Sequence, residues 1–165
     1  MKGLGTMSKK RYDKNSPASI LSHARLLLGK SLHDIYPAAK VGFSGKGSLG
    51  QSVERLHFGY APNSISEPDF QEAGVELKCT PLKTAKDGSM VSKERLVLNI
   101  INYVEEFGRS FETSSFSHKN ALVLLMFYLH LMGVDKMDYV FKIIRLWSIP
   151  EEDLKIFIDD WNIIH

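Results

Sequence analysis

The chain has 165 residues, 44% of them hydrophobic and 24% charged, the make-up of a single soluble domain with a sizeable core. A formal net charge of +2 is too small to argue for or against a nucleic-acid partner, so that question rests on where the charge sits. Cys79 is the only cysteine, which excludes an intramolecular disulfide and a cysteine-cluster metal site and fits a reducing, cytoplasmic compartment.

Residues 1–15 are polar, contain glycine and carry a second methionine at Met7; they read as a flexible arm or a cloning remnant, and the fold is expected to begin at residue 16. No signal-peptide core is present, and no apolar run reaches the roughly 18 residues of a membrane span. The longest run, Ala121 to Met132, is broken by His130, so no membrane association is expected.

Ser16-Pro17 is a cap and first-turn pair, and Ile20, Ala24, Leu27 and Leu28 make a helical stripe that Gly29 can end, predicting a helix over 17–28. A glycine-dense segment from Val41 to Gly50 follows. It lacks the spacing and the terminal Lys-Ser/Thr of a phosphate-binding loop, and reads either as a loop closing on DNA or as a simply mobile one. Leu49, Val53, Leu56 and His57 then predict a second helix ending at Gly59 and carrying Glu54.

The segment Val75 to Thr80 reads as a strand, entered from a turn at Ala73-Gly74 and closed by Pro81. Strand side chains alternate, so Glu76 and Lys78 share one face while Leu77 and Cys79 share the other. The turn lets Asp69 fold back beside Glu76. Two carboxylates at a sheet edge make a hard-oxygen site for Mg²⁺, and an adjacent lysine can orient water or stabilise charge on a phosphate. The competing reading is a solvated Glu/Lys alternation. Cys79, on the apolar face, reads as a small buried hydrophobe with no chemistry of its own. Lys78, Lys83, Lys86, Lys93 and Arg95 outnumber Asp87 and Glu94, so the strand runs into a basic loop that either faces a phosphate backbone or is a solvated hairpin.

A turn over Lys86 to Ser89 and the β-rich run Leu96 to Ile101 predict an antiparallel hairpin with the motif strand. Phe111 to Lys119 reads as a short helix or turn. Ala121 to Tyr128 is the most apolar element, and periodicity leaves strand and helix open; Tyr139 to Trp147 is more clearly a strand. Pro150 to Asp153 opens a final amphipathic helix with Leu154, Ile158 and Trp161 on one side. The elements define a single α/β domain.

Taken together, the Gly45 to Gly50 loop leading to Glu54, Asp69, Gly74 to Lys78 with Thr80-Pro81, Lys93 to Tyr103, and Phe111 to Ser114 through His118-Lys119 resemble the MutH family. Within it, the Lys93 to Tyr103 run is most similar to the type II restriction endonucleases that cleave GATC. The resemblance implies a restriction-endonuclease-like fold, a mixed β-sheet flanked by helices. It also implies a catalytic set of Asp69, Glu76 and Lys78 joined by Glu54 and Lys119. Asp69, Glu76 and the backbone carbonyl of Leu77 would hold Mg²⁺, with Glu54 as a further candidate ligand. Physically this is sensible: Glu54 adds a carboxylate for a metal or its water, and Lys119 adds a cation where negative charge develops.

The expected activity is hydrolysis of phosphodiester bonds in double-stranded DNA at GATC by in-line attack of a metal-activated water, leaving 5′-phosphate ends. Family members continue beyond the position where this sequence stops, so residues 16–165 are expected to be an N-terminal catalytic domain completed by a further C-terminal domain or a second subunit. Alternatives are a DNA-binding or assembly module inactive until so completed, and a mismatch-repair nickase acting at GATC. His57 and His118 offer a rival one-metal mechanism, but neither has ligand spacing and both read better as hydrogen-bonding or packing groups. Phe107, Phe111 and Phe116 are expected to pack in the core more than to stack on bases.

Overall fold

The computed structural model describes residues 12–39, 48–62 and 65–164. It is an α/β fold built on a four-stranded mixed sheet in the order β2-β1-β3-β4. Strand β1 (Val75–Thr84) pairs antiparallel with β2 (Met90–Ser92) and parallel with β3 (Leu122–Leu129), which pairs antiparallel with β4 (Phe141–Trp147). Between β1 and β3 the parallel connection carries β2, α4 (Tyr103–Glu106) and α5 (Ser115–Asn120).

Helix α1 (Pro17–Ala24) is capped by the Ser16 hydroxyl, which accepts the Ser19 N–H, and it stops four residues short of the predicted end. A tight turn over Arg25–Leu27 replaces the last helical turn, and Gly29, at φ 74°, releases the chain so that its N–H reaches the Phe141 carbonyl at 2.8 Å. A short α2 (Leu32–Ile35) follows, opened by a capping box in which Ser31 and Asp34 satisfy each other's backbone N–H groups. The second predicted helix forms as α3 (Ser48–Ser52), continued by a wider π turn over Val53–Phe58 that carries Glu54. The glycine-dense segment lies outside the described residues up to position 47.

Strand β1 continues through Pro81, the residue expected to close it, and its expected pairing needs correction. The antiparallel partner of the motif strand is Met90–Ser92, in register Leu82↔Ser92 and Thr84↔Met90, and Leu96 to Ile101 is not a strand. The tight turn sets this register: Ala85 N–H meets the Ser89 carbonyl at 2.8 Å, and Asp87 Oδ1 takes the Ser89 N–H at 3.0 Å. After one more bond, Lys93 N–H to the Pro81 carbonyl at 3.0 Å, the chain leaves the sheet, and Leu98 and Ile101 join a separate apolar cluster. The ambiguous run at 121–128 is strand β3, and α6 (Glu151–Ile164) forms as expected.

The alternation read from β1 sorts the two sides of the sheet. Val75, Leu77, Leu124, Met126 and Phe141 belong to the main core with Ile20, Leu27, Leu32, Leu49, Val53 and Phe58, and Cys79 packs against it. Glu76 and Lys78 face the other way, toward α5. There Phe111, Phe116 and Trp161 form a second cluster with Phe157 and Ile158. Phe107 departs from the packing expected of it: 81% of its surface is exposed.

Candidate active site

A reversal of the chain delivers the first carboxylate. Phe70 and Val75 exchange backbone bonds of 2.9 and 3.2 Å around a turn at Gln71–Ala73, and Gly74 takes φ 64°, a left-handed conformation suited to glycine. Asp69 therefore lies beside β1, where its Oδ2 accepts the Leu77 N–H at 2.8 Å. In a strand the N–H and C=O of one residue point to the same edge, so the Leu77 carbonyl leaves the strand on the Asp69 side, away from β3. β2 does not cover that edge, because it pairs only with Leu82 to Thr84.

Glu76 sits on the charged face of β1 but is not solvated: only 4% of its surface is exposed. Its Oε1 pairs with Lys78 Nζ at 2.9 Å and lies 3.8 Å from Lys119 Nζ, while Oε2 is buried without a hydrogen-bond partner. Lys119 is presented from the last turn of α5 and also donates to the Ile65 carbonyl at 2.9 Å. Glu54, half-buried on the wide turn after α3, completes the group by its charge interactions with Asp69, Glu76 and Lys78. The structure brings all five sequence-assigned side chains together.

Three carboxylates face two lysines here, and the electrostatics follow. Burial, then the charges of Asp69 and Glu76, push the Glu54 carboxyl up to about 7. Burial and the neighbouring Glu76 raise Asp69 to about 6, against the opposing pull of the Leu77 N–H and Lys119. Such crowding is costly unless a proton or a cation occupies it. No three His, Cys, Asp or Glu side chains among the described residues form a ready-made metal cage. A hard divalent ion does not require one, since Mg²⁺ keeps several waters and needs only one or two carboxylates with carbonyl or substrate oxygens. The orphaned Oε2 of Glu76, the Asp69 carboxyl and the outward Leu77 carbonyl fit such an ion in chemistry and placement.

The histidines take structural roles. His57 donates from Nε2 to the His23 carbonyl at 2.8 Å and accepts the Tyr36 hydroxyl at Nδ1, 3.0 Å away. It stacks on His23, and burial lowers its pKa to about 4. His118 is exposed and pairs with Glu67 at 2.7 Å. Cys79 packs as expected, with burial raising its thiol pKa.

Two residues escaped the sequence reading. The Tyr60 hydroxyl is buried without a partner, and burial, with the charges of Asp69 and Glu54, raises its pKa. Nothing in its spacing marks it; it simply follows the helix-ending Gly59. Glu106, 2% exposed, accepts the Ser115 N–H and hydroxyl at the start of α5 and so anchors the helix that presents Lys119. The pattern Glu106…Ser114-Ser115 is too loose to reveal that contact in advance.

A mixed sheet carrying a carboxylate and lysine cluster at the open edge of an inner strand is a restriction-endonuclease-like arrangement. The family model for the DNA mismatch repair enzyme MutH matches residues 58–160, and the chain belongs to the MutH family. It is 40% identical over 149 residues to the type II restriction enzyme Sau3AI of Staphylococcus aureus, covering 89% of this chain and 30% of that protein. It is 30% identical over 120 residues to the DNA mismatch repair protein MutH of Shewanella woodyi, covering 71% of this chain and 48% of that one. The chain thus spans less than half the length of either relative.

Proposed function

We propose that this chain is the catalytic part of a Mg²⁺-dependent DNA endonuclease that cuts at GATC within a type II restriction system. The observation that carries the reading is the gathering of Asp69, Glu76 and Lys78 at the open edge of β1, with one Glu76 oxygen buried and unpartnered. Asp69, Glu76 and the Leu77 carbonyl would hold the ion, with Glu54 as the further carboxylate. Bound there, Mg²⁺ supplies Lewis acidity to the scissile phosphate and lowers the pKa of an attacking water.

The protein's own groups do the rest. Lys78, held on Glu76, orients the attacking water on the phosphorus side opposite the leaving oxygen. Lys119, fixed between Glu76 and the Ile65 carbonyl, stabilises the negative charge that builds on the phosphoryl oxygens. The attacking water gives up a proton to solvent and the P–O3′ bond breaks as the new P–O bond forms; the departing oxygen takes a proton from solvent, leaving 3′-hydroxyl and 5′-phosphate ends.

The restriction assignment is favoured over a mismatch-repair nickase by the higher identity, 40% against 30%, and the larger share of the chain it covers. The second reading, a DNA-binding module that cuts only when completed by a further domain or subunit, is favoured by the short span relative to both relatives. Incubating folded protein with GATC duplexes, unmethylated and hemimethylated, separates the readings. The proposal expects Mg²⁺-dependent double-strand cleavage abolished by Glu76→Ala and by Lys78→Ala. Nicking of one strand supports the repair reading, and binding without cutting at saturating Mg²⁺ supports the module.

A further inference from the structure

A groove of ≈ 570 Å³ opens beside the catalytic lysine. It runs from Lys78 past Thr80 and Pro81 of β1, along the segment from Lys93 to Val97, and reaches His130 and Lys136 beyond the end of β3. Four cationic side chains line it, Lys78, Lys93, Arg95 and Lys136, against one carboxylate, Glu94, which pairs with Lys93 at 3.2 Å. The excess of positive charge is local, since the chain as a whole carries only +2.

We infer that this groove seats the phosphodiester backbone of the cleaved DNA strand on one side of the scissile phosphate, with Lys93, Arg95 and Lys136 as its phosphate contacts. The inference rests on the endonuclease reading above. Two features favour a strand over a small free anion. The cations come from three separate segments, Lys78 on β1, Lys93 and Arg95 on the stretch that leaves β2, and Lys136 in the turn before β4, in a groove far larger than a single phosphate fills. Lys78 lines the groove and pairs with Glu76 at 2.9 Å, so a backbone lying in the groove is led to the Glu76 site where cutting is proposed. The departure of the chain from the sheet after Lys93 thereby acquires a purpose: residues 93–97 line the groove, Lys93 and Arg95 among them, where a continued hairpin would pair them with β1.

Phosphate contacts leave a signature that activity does not: each lowers the slope of log Kobs against log salt by about 0.9. The experiment measures binding of the 165-residue chain to a GATC duplex and to a duplex lacking the site, in EDTA so that nothing is cut, over a salt series. Substituting Lys93, Arg95 and Lys136 together by alanine should flatten the slope by roughly two to three units on both duplexes. Each single substitution should flatten it by about one. Glu94→Gln removes the one opposing charge and should tighten binding at low salt. Lys142→Ala, an exposed lysine on the opposite edge strand β4, should change nothing.

Circular dichroism confirms that each variant is folded before it is scored, and the tightening expected of Glu94→Gln cannot come from misfolding. Wild-type protein that binds neither duplex at low salt overturns the endonuclease reading and the groove with it. Wild-type binding with slopes unchanged in the alanine variants, or no response to Glu94→Gln, overturns the groove alone.

Discussion

Asp69→Asn should make the metal-free protein more stable while abolishing cleavage. Asparagine keeps an oxygen for the Leu77 N–H, now bonded at 2.8 Å, and its amide can donate toward Glu76, so the substitution removes charge without removing the contact. The carboxyl of Asp69 is raised from 3.8 to about 6 by burial and by Glu76. A carboxyl raised in the folded state favours folding fully when protonated, below about pH 3.8; that advantage falls away as pH rises and is lost above about pH 6. At about 1.36 kcal/mol per unit, the shift corresponds to roughly 3 kcal/mol at pH 8, and solvent reaching the partly exposed group cuts this to about 1–2 kcal/mol. At roughly 2–4 °C per kcal/mol for a chain of this size, Tm in EDTA should rise by about 2–8 °C at pH 8. At about pH 4 the rise should shrink to a small fraction of that. Thermal melts of both proteins at the two pH values are the assay. A lower Tm for the variant at pH 8, or the same difference at both pH values, would refute the account of a strained carboxylate cluster.

The same reasoning extends to neighbouring groups. Tyr60→Phe deletes a buried hydroxyl that lacks a protein partner, so the EDTA Tm should stay level or rise, by up to about 1–3 kcal/mol of stability, where a bonded hydroxyl would give a fall. Glu106→Ala should cost about 1–3 kcal/mol and lower activity through α5, because it leaves the Ser115 N–H without its carboxylate; urea denaturation checks the first and a Lys119→Ala comparison the second. Glu54 and Asp69 titrate near 7 and 6 and must shed protons to hold a cation. The Mg²⁺ concentration for half-maximal cleavage should therefore climb by about tenfold or more per pH unit below pH 6, and a value flat between pH 8 and pH 5.5 would contradict that.

Much of the site was legible because strand alternation and turn chemistry are local. Glu76 and Lys78 have to share a face, and Ala73-Gly74 turns the chain, so the sequence itself brings Asp69 beside them. Glu54 and Lys119 were not local; only the family resemblance linked them, and the structure supplies the reason, with the wide turn after α3 and the end of α5 both reaching the β1 site. What failed was pairing at a distance. Leu96 to Ile101 has the composition of a strand, but the turn at Lys86 to Ser89 sets a short register that ends at Ser92, and Leu98 and Ile101 pack in the apolar cluster with Trp161. The burial of Glu76 stays open in the sequence for the same reason. Glu76 looks like half of a solvated alternation until α5 is seen to cover its face. The short α2 carries its signature openly in the Ser31 and Asp34 capping box, but four residues are too few to show a helical stripe.

The central claim is that Asp69, Glu76 and the Leu77 carbonyl share one divalent ion. A crystal structure with Mn²⁺ standing in for Mg²⁺, located by its anomalous scattering, tests it directly. The account predicts one strong peak within bonding distance of an Asp69 oxygen, Glu76 Oε2 and the Leu77 carbonyl, with Lys78 Nζ still on Glu76 Oε1. No peak there at saturating Mn²⁺, or an ion held elsewhere while these three oxygens remain apart, would contradict it.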